Sequence, residues 1–444
     1  MTQTLAGFRA ARPAPSRPRP LARLDGVSAL TVYLVLLLAV PSVMVMSPLG
    51  SAGSPSTVVA VGLFLLWLWF QVHQLSRRPR RGRELRRATL MWLVLMLAVY
   101  AHSMSGPLPA DEVSPGDFGM LKLAGFCGVL LVTSDGIRDL GRLRIFTSRL
   151  VIAVGLVAVL GLVQFLTQEL LIDRLSVPGL TSVPHTGLTE RNGLPRPNGT
   201  STHPIEYGVV LSMGFPLAVV HALWSPRRRW LYRALLAVIA LDVFISSSRS
   251  ALVCAGLSLL VLAVCWPAAL RIKAVVAAVV ATAAVYVVVP GSLGATTKLF
   301  TLAGNDPSIT SRTGSYDLAW FFFSQSPWLG RGFGTFLPKY WIFDNAYLGL
   351  LVEGGILGLG GFVVLILVAA RAAQRASVSL PDELDRRLAQ GVLAAIASGA
   401  AGLAFFDSFG FPQSAGCFFL VLGIAGALRR LAPVSPLDPR ATTS

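Results

Sequence analysis

Predominantly apolar stretches close to the length of a membrane crossing recur along this chain, among them Val27–Met46, Val151–Leu166, Ala251–Trp266 and Ala274–Pro290. A helix needs about 20 such residues to cross roughly 30 Å of hydrocarbon. In hydrocarbon every backbone N–H and C=O must find its partner within the protein, which leaves helices or a closed barrel as spanning forms. The alternating segments of about ten residues that mark a membrane barrel are not present. The expected fold class is therefore all-α, a polytopic membrane helical bundle. Twelve spans are expected, at 27–46, 56–73, 88–104, 118–134, 150–168, 204–224, 231–247, 250–267, 273–290, 346–370, 389–407 and 411–428.

Composition agrees. Only 13% of the residues are charged against 54% hydrophobic, about half the charge of a typical soluble domain. The net charge of +17 suggests nucleic acid until the charges are located. With the N-terminus inside, most Lys and Arg fall in cytoplasmic connections, including Arg77, Arg78, Arg80, Arg81, Arg83, Arg86 and Arg87 in one, and Arg227, Arg228 and Arg229 in another. The positive-inside rule accounts for that distribution, and basic juxtamembrane loops favour anionic membrane lipids as partners. Nucleic acid is not expected. The protein is expected in the cell membrane, both termini cytoplasmic. Cys127, Cys254, Cys265 and Cys417 lie in expected spans without metal-ligand spacing, as small apolar packers do.

The expected organisation is a basic, disordered cytoplasmic tail at 1–25, spans one to five at 26–168, a first external loop at 169–203, and spans six to nine at 204–290. A large external loop at 291–345, spans ten to twelve at 346–428 and a cytoplasmic tail at 429–444 complete it. Chemistry is expected on the external loops, because loops carry function on a rigid scaffold. Within the second, residues 311–324 predict a short helix with Tyr316, Leu318, Ala319, Trp320 and Phe321–Phe323 on an apolar face. Such a helix suits either the membrane interface or packing on the bundle.

Positive charge is scarce outside, so Arg196, Arg249 and Arg312 stand out. A charge as close to hydrocarbon as Arg249 needs a partner or an aqueous cavity, or it snorkels to the interface; Asp242 is a candidate partner. Three guanidiniums on one cavity would suit a diphosphate, since the planar fork of Arg matches its oxygens. His203, with Glu206 after it, stands at the mouth of span six, and Asp344 with Asn345 at the mouth of span ten. Either His203 or Asp344 could take a proton from a sugar hydroxyl; equally, Asp344 could be the N-cap of span ten. Gly330–Gly334 lacks the strand and the Lys-Ser/Thr of a nucleotide loop and reads as a glycine-rich turn. Glu353 begins a small-residue run that permits close helix contact and needs an internal partner.

Taken in order, four segments resemble the O-antigen ligase and Wzy-type polymerase superfamily. They are Arg196-Pro-Asn-Gly-Thr-Ser-Thr-His-Pro-Ile-Glu-Tyr-Gly208; Ser246-Ser-Ser-Arg-Ser-Ala251; Arg312 with Trp320 and Ser326-Pro-Trp-Leu-Gly-Arg-Gly-Phe-Gly334; and Asp344-Asn-Ala-Tyr-Leu348 with Glu353-Gly-Gly-Ile-Leu-Gly358. The resemblance covers roughly residues 190–365. It implies a GT-C-type, metal-independent, inverting glycosyltransferase without cofactors. Such an enzyme takes a polyprenyl diphosphate-linked glycan donor and a glycan, lipid or wall-polymer acceptor at the outer face of the cytoplasmic membrane. It further implies that Arg196, Arg249 and Arg312 bind the diphosphate and that the acceptor base lies where ligases carry His-Asn. This chain has Asp344-Asn345 there, so Asp344 or His203 is the expected base, with Asn345, Glu206 and Glu353 supporting. Polymerase and ligase differ only in acceptor and stay open. The alternative function is a transporter or flippase of lipid-linked glycan, which would place charged or broken helices at the midplane; a third is a non-catalytic membrane scaffold.

Overall fold

A computed structural model describes residues 25–46, 53–73, 82–175, 177–182, 188–191, 194–273, 276, 279, 283 and 307–433. Both expected tails beyond these limits, and nearly all of the ninth span, lie outside the described residues. Within them the helices are α1 (Gly26–Ala39), α2 (Pro55–His73), α3 (Arg83–Ser105), α4 (Ala110–Gly136), α5 (Leu140–Thr167) and α6 (Pro204–Trp224). They continue with α7 (Arg229–Ile245), α8 (Arg249–Cys265), α9 (Pro307–Gln325), α10 (Ala346–Ser379), α11 (Glu383–Gly402) and α12 (Pro412–Leu431).

Seven of these helices, α2 to α6, α10 and α12, are long and apolar enough to cross a membrane, and α1 and α8 are shorter apolar helices. The chain is a multi-pass membrane protein. α6 and α12 form the middle of the bundle: 83% of the apolar window of each is buried. By contrast α2 turns Leu65, Trp69 and Val72 outward, and α5 turns out Leu156, as lipid-facing helices must. Close packing in lipid rests on small residues at crossings. A side chain on Gly128 would run into the Phe64 backbone, and one on Gly423 into the Leu130 carbonyl and Thr133.

Polar residues fix the helix ends. Asp25 caps α1, Asp139 caps α5, Ser248 caps α8 and Asp382 caps α11, each accepting from a backbone N–H of the first turn. At one end of the bundle the arginines find carboxylates: Arg142 with Asp25 at 2.5 Å, Arg144 with Asp385 at 2.6 Å and Asp382 at 3.0 Å, and Arg86 with Asp135 at 3.7 Å. The opposite end gathers the connections α1–α2, α3–α4, α5–α6, α7–α8, α9–α10 and α11–α12. There β1 (Met44–Val45) pairs antiparallel with β2 (Thr181–Ser182), and β3 (Thr189–Arg191) with β4 (Leu194–Arg196). The connection at 169–203, expected as loop, thus contains short strands, one of them tied to the α1–α2 connection.

Candidate functional site

The segment before α6 is built around Gln164 of α5. Its Oε1 accepts from the Asn198 and Gly199 N–H groups, and its Nε2 donates to the Gly199 carbonyl at 2.9 Å. Gly199 has φ +55, and a Cβ there would press on Val157 and the Tyr207 ring, so the turn needs glycine. Thr200 and Ser201 tie the segment to Leu38 and Gln413. Glu206 finishes the lock. Its carboxylate accepts from Thr202 N at 2.9 Å on its own helix end and from Gln413 N at 2.8 Å and Ser414 N at 3.3 Å on α12. One buried carboxylate therefore caps two helix N-termini, where negative charge is favoured by the dipole.

Arg196, 9% exposed, is held by this frame with its Nε donating to the Ser246 carbonyl at 3.3 Å. Ser246 opens the α7–α8 turn, where Ser247 takes a left-handed φ of 47° and Ser248 caps α8. Arg249 is the first residue of α8. The structure thus sets Arg196 against the turn that carries Arg249. A cation in the first turn works against the helix dipole, whereas an anion bound there is favoured. Asp242, expected as partner of Arg249, instead accepts from the Tyr207 hydroxyl at 2.6 Å; Tyr207 is brought to it by the close approach of α6 to Gly161. Arg312 falls in the opening turns of α9, and its side chain lies outside what is described.

His203 is the N-cap of α6. Its Nδ1 lone pair accepts from the Ile205 N–H at 3.1 Å, so the neutral ring carries its proton on Nε2 and presents a donor. Burial, and then the nearby Arg196 charge, push its pKa down to about 4. Because the unfolded pKa lies higher, near 6.5, the unfolded chain binds the extra proton between these values. Stability from His203 is present above pH ~6.5 and is lost as pH falls toward 4. Thermal melting from pH 7 to 4.5 should show this loss, and His203→Asn should remove part of the slope; an unchanged slope counts against it.

The second half of the site hangs on a break in α10 at Gly355 (φ 62, ψ −167). Arg331 N and Gly332 N donate to the Val352 and Glu353 carbonyls at 3.0 and 2.8 Å. Ile356 N and Leu357 N donate to Pro327 and Trp328 at 2.9 and 3.2 Å. The backbone of 327–332 therefore takes over the hydrogen bonds that the broken helix gives up. Both glycine motifs have their reason here, since a Cβ on Gly330 or Gly355 would meet partner backbone within 2.5 Å. Glu353, which needed an internal partner, accepts from Phe336 N at 3.2 Å and from Gly334 N. Arg331 and Lys339 are engaged by α4: Arg331 meets Glu112 at 2.7 Å and Lys339 meets Asp111 at 2.5 Å.

Asn345, not Asp344, is the N-cap of α10, accepting from Tyr347 N and Leu348 N. Asp344 is thereby released from capping. It lines a cavity of about 30 Å³ with Ser315, Tyr316, Asn345, Leu348 and Ala404, room for about one water or hydroxyl. The two halves are joined by the connection 403–411. Ala346 N donates to the Leu403 carbonyl at 2.8 Å, while the Phe411 ring sits 5.3 Å from Phe406 and 6.3 Å from His203. Half-buried Asp407 in that connection lies close enough to Lys122 and Asp344 to feel their charges.

Gln164, Asn198, Asp407 and Gln413 were not singled out from the sequence. Asn198 is 4% exposed with an Oδ1 that has no hydrogen-bond partner among the described residues. The only signal for Asp407 and Gln413 is their place on either side of the short connection between the expected spans 389–407 and 411–428.

Residues 234–363 match a family model described as O-Antigen ligase. The match takes in Arg249, Arg312, Asp344, Glu353 and the α10 break, and leaves out Arg196, His203 and the 403–411 connection. No curated protein matches the chain.

Proposed function

By the domain at residues 234–363 this chain is a member of the O-antigen ligase and polymerase superfamily, and on that footing we propose a glycosyltransferase acting on lipid-linked glycan. The donor is a polyprenyl diphosphate-linked glycan, and the acceptor is a sugar or wall-polymer hydroxyl at the outer face of the cytoplasmic membrane. The observation that carries this reading is the Arg196–Ser246 contact, which sets a buried guanidinium against the α8 N-terminus and Arg249. A diphosphate there would meet two guanidiniums and a helix dipole, with Arg312 as the third cation.

Asp344 is the base in this reading. It is free of the capping role and faces a hydroxyl-sized cavity. His203 is the poorer base, because its Nδ1 lone pair is spent on Ile205 and its pKa is low; its Nε2–H is a donor toward substrate. The acceptor oxygen forms a bond to the anomeric carbon as the bond to the diphosphate oxygen breaks. The acceptor proton passes to Asp344, and the leaving diphosphate's charge is taken up by the arginines, which is electrostatic stabilisation of the transition state. Single displacement inverts the anomeric centre without a metal. Asn345, Glu206 and Glu353 support by holding helix ends and the α10 break. The twelve-span GT-C-type topology, with termini inside and the Arg196, Arg249 and Asp344 end outside, belongs to this proposal. It agrees with the basic sequence of the connections and the arginine–carboxylate pairs at the other end.

Deleting the gene and profiling lipid-linked intermediates tests the function. Accumulated single repeats identify a polymerase, and accumulated full-length lipid-linked polymer identifies a ligase. An unchanged profile overturns both.

A further inference from the structure

α5 carries three arginines, and one of them is unlike the others. Arg142 and Arg144 sit at the helix start and are paired with Asp25 and with Asp385 and Asp382. Arg149 lies seven residues beyond Arg142, about 10 Å further along the axis. Among the described residues its partner is the Thr31 hydroxyl, at 2.7 Å from Nη1, with no carboxylate in ion-pair reach. Thr31 is six residues, about 9 Å, into α1 from Asp25, so the guanidinium is held at that depth and does not snorkel back to the paired end.

The space in front of it is a lateral cleft of about 700 Å³ between α1 and α5. Its walls are apolar, with Val32, Leu34, Val35, Ile152 and Leu156 among them, and Val35 and Leu156 are 52% and 60% exposed. α1 is 14 residues long, about 21 Å, shorter than the roughly 30 Å of hydrocarbon. A cation inside a membrane span normally finds an internal counter-ion or marks a binding site.

We propose that the α1–α5 cleft binds an anionic phospholipid, its phosphate on Arg149 and Thr31 and an acyl chain along the apolar wall. The geometry complements that ligand at both ends: a guanidinium and a hydroxyl for phosphate oxygens, and an unbroken aliphatic surface for the chain. The site is separate from the glycan-transfer residues and does not depend on their assignment.

Native mass spectrometry of the full-length protein in dodecyl maltoside, given phosphatidylglycerol or dioleoylglycerol, tests it. Wild type is expected to retain phosphatidylglycerol and not dioleoylglycerol, and Arg149→Gln to lower retention about tenfold, about 1.4 kcal/mol. Val35→Trp fills the cleft while keeping the arginine and should lower retention similarly; should Arg149→Gln fail to fold, this variant decides. Undiminished retention in the folded variants, or equal retention of dioleoylglycerol, overturns the proposal.

Discussion

Asp344→Asn is expected to slow glycan transfer about 10²–10⁴-fold, the range associated with losing a positioned general base. The fold should be untouched, because Asn345 caps α10 and the Ala346 N–H is held by the Leu403 carbonyl. Donor binding should also survive, since the diphosphate is assigned to arginines on other elements. The expected signature is therefore a fall in turnover with an unchanged donor Kd and an unchanged melting temperature. His203→Asn, judged by the same assay, should cost far less, because that imidazole already spends its lone pair on the α6 end. A His203 variant slower than Asp344→Asn would reverse the assignment of the base.

Arg249→Ala carries the second large effect. A fixed cation at a leaving diphosphate should be worth about 10²–10³-fold in turnover, by analogy with a single lost oxyanion donor, with weaker donor binding besides. Arg249→Lys should recover only part, because an ammonium offers a point charge where the guanidinium offers a planar fork. A basic residue in the first turn of α8 opposes the helix dipole, so its removal should not lower the melting temperature. If Arg249 serves only the fold, the reverse pattern appears: lower melting temperature and full activity per folded molecule.

The bundle was readable because spans are a matter of length and polarity, both written in the chain. The start of α6 is marked to the residue by His203-Pro204, and α10 begins directly after Asp344-Asn345, where the apolar run starts. What stayed hidden was which of two neighbouring polar residues does which work. Asp344 and Asn345 are both good caps, and only backbone geometry assigns the task to Asn345. Asp242 looked like a partner for Arg249 because both lie near one turn, yet its side chain faces Tyr207 across a helix crossing that Gly161 permits. The two glycine motifs at 330–334 and 354–355 form one joint, 25 residues apart at the outer glycines Gly330 and Gly355. No local pattern announces such long-range backbone pairing.

That joint also bears on the transporter alternative. A broken span is a device of secondary transporters, but at Gly355 the freed hydrogen bonds are taken by the 327–332 backbone of the same chain. No observation favours transport over transfer.

The most direct test is transfer by the purified protein. Supplied with a polyprenyl diphosphate-linked glycan and an acceptor glycan in detergent or liposomes, the wild-type chain is predicted to release polyprenyl diphosphate and form one new glycosidic bond per diphosphate freed. Intact donor after incubation, or donor merely moved across the liposome bilayer, would contradict the account.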